Sequence, residues 1–152
     1  MNRERGTTTV EMAVAGAAFF LVLFAALEVG RLFFTLHGLT EGTRRGARVA
    51  AVCPQDHPAI VNVASFGDPA SGAGGLIPAV TADKFIVEYL DTSGNVTATY
   101  LDIRYVRVSV SNFNHVTIIP GAVMSIDLAG FSTTVPRESL GVPREGVVEC
   151  VF

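Results

Sequence analysis

Few side chains in this sequence have the types and spacing that chemistry needs. The informative ones are carboxylates, cations and thiols set along or just beyond an apolar run. Glu11 stands at the mouth of a block, Met12 to Leu27, that holds no charged or strongly polar side chain. A carboxylate there costs several kcal/mol if it enters lipid unpaired, so it calls for a cationic partner or a place in the headgroup layer. Glu28 and Arg31, just past the block, lie three apart on one helical face, where they can pair or snorkel. Cys53 and Cys150 make an even count, which outside the cytoplasm points to a disulfide. Such a bridge closes a long loop, for which chain entropy allows up to roughly 4–5 kcal/mol. Idle thiols or a Cys nucleophile are the alternatives, but His37, His57 and His115 are scattered and no catalytic signature surrounds either Cys. Asp83, Glu88, Asp91 and Asp102 lack the spacing of a calcium loop and read as a solvated face. With no H-E-x-x-H, G-x-S-x-G, Walker loop or His/Cys ligand set, no catalytic residue, metal or cofactor is expected.

Charge narrows the partners. Residues 54–152 carry five basic side chains (Lys84, Arg104, Arg107, Arg137, Arg144) against ten acidic ones. Nucleic-acid binding needs clustered Lys and Arg to neutralise phosphates, so that class is excluded for this region. Arg44, Arg45 and Arg48 form a small basic group, read as cations favouring a helix C-terminus and solvating its last turns.

The elements that must position these groups begin with the apolar block. As a helix, Met12–Leu27 spans about 24 Å, and admitting Glu28, Arg31 and Thr35 extends it to Leu36, past the roughly 30 Å of a bilayer core. Arg3 and Arg5 precede it, so the N-terminus is expected in the cytoplasm. A cleaved secretory signal fits less well, because Leu27-Glu28-Val29-Gly30-Arg31 offers no small-residue cleavage site. A buried core helix fits worse, for the block has no polar face. With no proline before Pro54, the helix is predicted to run on to Val52. Leu32, Leu36, Leu39, Thr43, Ala47 and Ala50 then share one face able to lie on a domain. Gly38, Gly42 and Gly46 each cost about 1 kcal/mol against Ala in a helix, and their spacing suggests close approach of another helix.

Gly6 and Glu11 complete a pattern. A cut after Gly6 would give Thr7 a cationic α-amine and make Glu11 the fifth residue of the mature chain, where it could neutralise a neighbour's amine in the membrane. The leader, Gly6, Glu11 and the apolar helix resemble type IV pilin-like proteins. More narrowly, Arg5-Gly6-Thr7-Thr8-Thr9-Val10-Glu11, Glu28-Val29-Gly30-Arg31 and Glu41-Gly42-Thr43-Arg44-Arg45-Gly46-Ala47-Arg48 resemble the TadE-like family, the minor pilins or pseudopilins of tight-adherence pili. The match covers the first fifty residues well and departs at Met12, where pilins of this system often carry an aromatic residue. The resemblance implies cleavage by a prepilin peptidase at Gly6–Thr7, subunit registry through Glu11, and other pilins and the pilus machinery as partners in the inner membrane.

Beyond Pro54 the chain reads as a Gly/Pro-rich loop to residue 83, with a short helix near Pro58–Ala64, and then as strands. Lys84–Leu90 and Val96–Leu101 read as a hairpin about Thr92-Ser93-Gly94-Asn95. Tyr105–Ser111 alternates as a half-buried strand, Met124–Val135 is a fourth with a break at Gly130, and Val147–Phe152 is a short edge strand. The expected fold is α+β and pilin-like: a leader (1–6), a long helix (7–53) that spans the membrane in its first half, the loop region (54–83), and a strand-rich extracytoplasmic domain (84–152) whose antiparallel sheet of about four strands packs on the helix's second half. The function expected is assembly of a tight-adherence (Flp) type IV pilus, without enzymatic activity. The alternative is an uncleaved single-pass protein whose outer domain binds a partner or ligand.

Overall fold

The computed structural model describes residues 4–77, 79–119, 123–142 and 150. One helix, α1 (Glu4–Val52), runs 49 residues without a break, about 73 Å at 1.5 Å per residue. The most apolar stretch of its first half is long enough to cross a membrane, and none of that stretch is buried among the described residues. Pro54 disfavours helix at the residue before it, and α1 ends two residues upstream.

The second half of α1 is different because its inward face is made of small side chains. Thr35, Gly38, Leu39, Gly42, Thr43, Gly46, Ala47 and Ala50 are all buried, recurring at steps of three and four. The glycine row faces this chain's own domain. Its neighbours are Ile77, the short helix α2 (Pro58–Ala64), Phe85 and Val108. A Cβ at Gly42 would stand 2.5 Å from the Ala64 carbonyl oxygen, and one at Gly46 would stand 2.8 Å from the Ala64 Cβ. Only glycine lets the two helices come this close.

The main sheet has three antiparallel strands in the order β1 (Phe85–Leu90), β2 (Tyr105–Val110), β5 (Ser132–Pro136). Central β2 alternates as its sequence predicts, burying Val106, Val108 and Val110 against α1. Thr43 and Thr133 hydroxyls meet at 3.0 Å and join helix to sheet. A separate two-stranded ladder, β3 (Asn114–Val116) with β4 (Ser125–Asp127), lies outside that sheet.

Three expectations are revised. Val96–Leu101 is no strand: one bridge, Leu90 to Val96, is all that forms, and β1 takes β2 as its partner. Val96 and Leu101 are exposed, whereas β2 brings three valines into the core, so pairing with β2 buries more apolar surface. The Asp91–Asn95 turn still forms, with Asp91 Oδ1 accepting from the Ser93 amide at 2.7 Å and the Asn95 amide at 2.9 Å. The Asn95 amide foremost, with the Ser93 amide, holds the Asp91 carboxyl below its ordinary range. Met124–Val135 is two strands in two sheets, divided by a turn at Ala129-Gly130, where Gly130 has φ 98°. Arg44 and Arg45 pair with Glu41 at 3.9 and 3.2 Å, and the last turn of α1 has no basic residue, so they do not serve its C-terminus. Apart from Cys150, the Val147–Phe152 strand lies outside the described residues.

That C-terminus is satisfied from far along the chain instead. The amides of Glu138 and Leu140 donate to Ala51 O, and the Gly141 amide and Ser139 hydroxyl donate to Val52 O. These are the carbonyls a helix end leaves open. Cys53, fully buried, is bonded to Cys150 with Cα atoms 5.6 Å apart. The bridge and the four hydrogen bonds fix the end of α1 to the chain's last segment.

Gly42→Ala therefore overpacks α1 on α2, a change that costs about 1–3 kcal/mol. Its thermal midpoint in detergent should fall by roughly 4–8 °C per kcal/mol for a domain of this size. Gly30, with nothing within 4 Å of its Cβ position, should accept Ala without loss. Equal midpoints for the two variants would contradict this packing.

Candidate functional site: the anchor helix and its membrane-proximal cluster

Gly6, Thr7 and Glu11 lie on the first turns of α1, and the helix runs unbroken through the Gly6–Thr7 bond. Gly6 stands in open space. Thr7 and Glu11 are four apart and so lie on one face, about 6 Å along the axis. Glu11 is exposed and finds no partner among the described residues. The apolar side chains that follow it, Met12, Val14, Phe19, Phe20, Leu21, Val22 and Leu27 among them, are exposed as well.

Just past the apolar block, polar groups gather. Glu28 and Arg31 pair at 3.3 Å, and Glu28 Oε1 also meets His115 Nε2 at 2.9 Å. The His115 side chain is 5% exposed and that of Glu28 11%, so both are nearly closed off by the helix and β3. The Ile118 amide donates to Glu28 Oε2 at 3.1 Å, and Arg31 donates to the Val116 carbonyl at 2.6 Å. Arg31 Nε is buried without an acceptor among the described residues. Apart from the Glu28–Arg31 pair, each of these bonds ties α1 to the β3 strand or the chain just after it, so the cluster is a clasp between the helix and the hairpin.

The other candidate residues are structural or solvated. The sulfurs of Cys53 and Cys150 are joined to each other and are not available as a nucleophile. His57 caps α2 through Nδ1, and His37 is exposed. Asp83 pairs with Lys84 at 3.2 Å and Glu88 with Arg107 across strands at 3.6 Å. Among the described residues no group of three or more His, Cys, Asp or Glu converges as a metal site would. His115 and the amide of Ile118 were not legible as site members. They lie 84 to 90 residues from their partners on α1, and a three-residue strand has too few alternations to give a pattern.

The chain is thus an α+β protein in which an exposed apolar helix, long enough to span a bilayer, merges into the core of a small domain. Residues 6–48, within α1, match the family model described as TadE-like protein. No curated protein and no solved structure matches the chain.

If the clasp holds the hairpin to α1, Glu28→Ala should release it. Hydrogen exchange in detergent should then show lost protection at the Ile118 amide, with β1 and β2 unaffected. Unchanged protection at Ile118 would mean that the hairpin is held by other contacts.

Proposed function

We propose that this chain is a minor pilin or pseudopilin that enters the assembly of a tight-adherence (Flp) type IV pilus. The single observation that carries the reading is the placement of Glu11. It is one exposed carboxylate, five residues after Gly6, at the head of an apolar helix segment that is unburied among the described residues. The family match over residues 6–48 supports it.

A prepilin peptidase, on this reading, cleaves the bond between Gly6 and Thr7 and leaves a cationic α-amine on Thr7. In a bundle of such helices the Glu11 carboxylate of one subunit pairs with the amine of a neighbour. At about 4 Å such a pair gains ~1 kcal/mol in water and ~4 kcal/mol at the effective dielectric near a protein surface. Removing an unpaired charge from lipid adds to this. The pair therefore favours one axial offset between adjacent helices, which is what registry requires. The partners are other pilins, the peptidase and the pilus assembly machinery.

The domain sits outside the cytoplasm, in keeping with the Cys53–Cys150 disulfide, since such bonds persist in oxidising compartments. Arg3 and Arg5 stay on the cytoplasmic side of the inner membrane. The Glu28–Arg31 pair serves at the outer margin of the span.

Replacing Glu11 by Ala in the producing cell tests this. The expected result is loss of assembled pili while the protein still accumulates in the membrane, with Glu11→Asp retaining part of the assembly. Normal piliation with Glu11→Ala would overturn the registry role and leave α1 as a plain anchor.

A further inference from the structure

The β3–β4 hairpin presents apolar side chains that the domain does not bury. Val123 is 80% exposed, Ile118 66% and Met124 63%, with Val116 beside them. No formally charged residue lies between His115 and Asp127. On a soluble domain, a short ladder with such a surface is an aggregation hazard, and natural proteins blunt it with charge. Here the charge is missing where it would be expected, so the surface calls for a partner.

Its height along α1 says which. Counting from Met12, the first residue after Glu11, about 20 residues of helix cover the roughly 30 Å of a bilayer core, which ends near Arg31. The clasp places the hairpin at that margin, because the Ile118 amide bonds Glu28 and the Val116 carbonyl bonds Arg31. Ile118 and Ile119 line a groove of about 350 Å³ whose other walls are Phe24, Leu27, Glu28 and Arg31. Phe24 lies a full turn below Glu28, about 6 Å further into the core. That depth falls in the 5–10 Å to which interfacial segments sink their apolar faces.

Backbone polarity is the usual obstacle to placing a loop in lipid, and three amides of the described part of this loop have partners within the protein. The Thr117 amide donates to Met124 O at 2.9 Å, the Met124 amide to Thr117 Oγ1 at 2.8 Å, and the Ile118 amide to Glu28.

We propose that the β3–β4 hairpin is a second membrane contact, dipping Ile118, Ile119, Val123 and Met124 into the headgroup and upper acyl region of the leaflet on the domain side. It rests on α1 crossing the bilayer, not on any role in a pilus. With one helix alone, helix and domain could tilt together in the bilayer. The hairpin adds a second point of attachment and sets the tilt of the domain on the membrane surface.

The chain has no tryptophan, so one introduced Trp reports alone. Full-length Phe20→Trp, Met124→Trp, Val123→Trp and Val96→Trp, disulfide intact, are reconstituted singly into phosphatidylcholine–phosphatidylglycerol vesicles at high lipid-to-protein ratio. Emission is read with and without acyl-brominated lipid. Phe20→Trp reports the span itself, and Val96→Trp, on an exposed turn of the domain, reports solvent. The expected result is that Met124→Trp and Val123→Trp emit at shorter wavelength than Val96→Trp and lose most of their emission to lipid brominated near the headgroup. Phe20→Trp should be quenched most by lipid brominated near the chain end. Quenching of Phe20→Trp without quenching of the two hairpin variants overturns the proposal and leaves the span intact. Blue-shifted hairpin emission that bromine does not quench means a protein surface, a second copy of this chain being the nearest, and also overturns it. An unquenched Phe20→Trp removes the spanning reading and the proposal with it.

Discussion

One helix has to satisfy two solvents, and the stripe of small residues on its second half is what allows it. Over Thr35–Ala50 the buried face of α1 is almost entirely Gly, Ala and Thr, with Leu39 as its one large side chain. That face lets α2 and the sheet close directly on the helix backbone. The core of the domain is therefore built around the continuation of the anchor itself, with Ile60, Phe85, Val106 and Val108 reaching in from the other side. A stripe of large residues would hold the domain further off and would move Thr43 out of reach of Thr133. The glycines cost helix propensity, about 1 kcal/mol each, and the packing they permit offsets it.

Because anchor and core share one unbroken helix, the position of the apolar block along α1 fixes the height of everything else. The Glu28–Arg31–His115 clasp falls where a span starting after Glu11 would end. The clasp and the disulfide-bound end of α1 attach the domain to the helix at two levels, about 37 Å apart by helix rise. Between them the domain has no freedom to slide along its anchor. Helix and domain so joined present a rigid rod with a fixed attachment, which suits the place among like helices proposed for it.

Much of this could be read from the sequence where a pattern repeated. The long helix, its end at Pro54 and the buried face through Leu39, Thr43, Ala47 and Ala50 follow from a period sustained over many turns. The alternation of Val106, Val108 and Val110 identified β2, and Gly130 marked a break. What was illegible was pairing. Val96–Leu101 looks as strand-like as Lys84–Leu90, yet it meets the outer edge of β1 in a single bridge, and nothing in its own pattern says that β2 is the strand that pairs. Which surface the glycine row faces depends on α2 folding back, and no local signal in Pro58–Ala64 says so. The capping of α1 by residues 138–141 and the clasp from His115 to Glu28 join residues more than eighty apart, for which one sequence carries no pattern.

The proposed pilin role stands on processing, and the mass and N-terminal sequence of the protein extracted from membranes of its own host, without reductant, test it most directly. The expected chain begins at Thr7 and is lighter than its sequence by the two hydrogens of one disulfide. A chain beginning at Met1 in a host that has the peptidase would contradict the pilin mechanism and leave an uncleaved anchor carrying an outer domain.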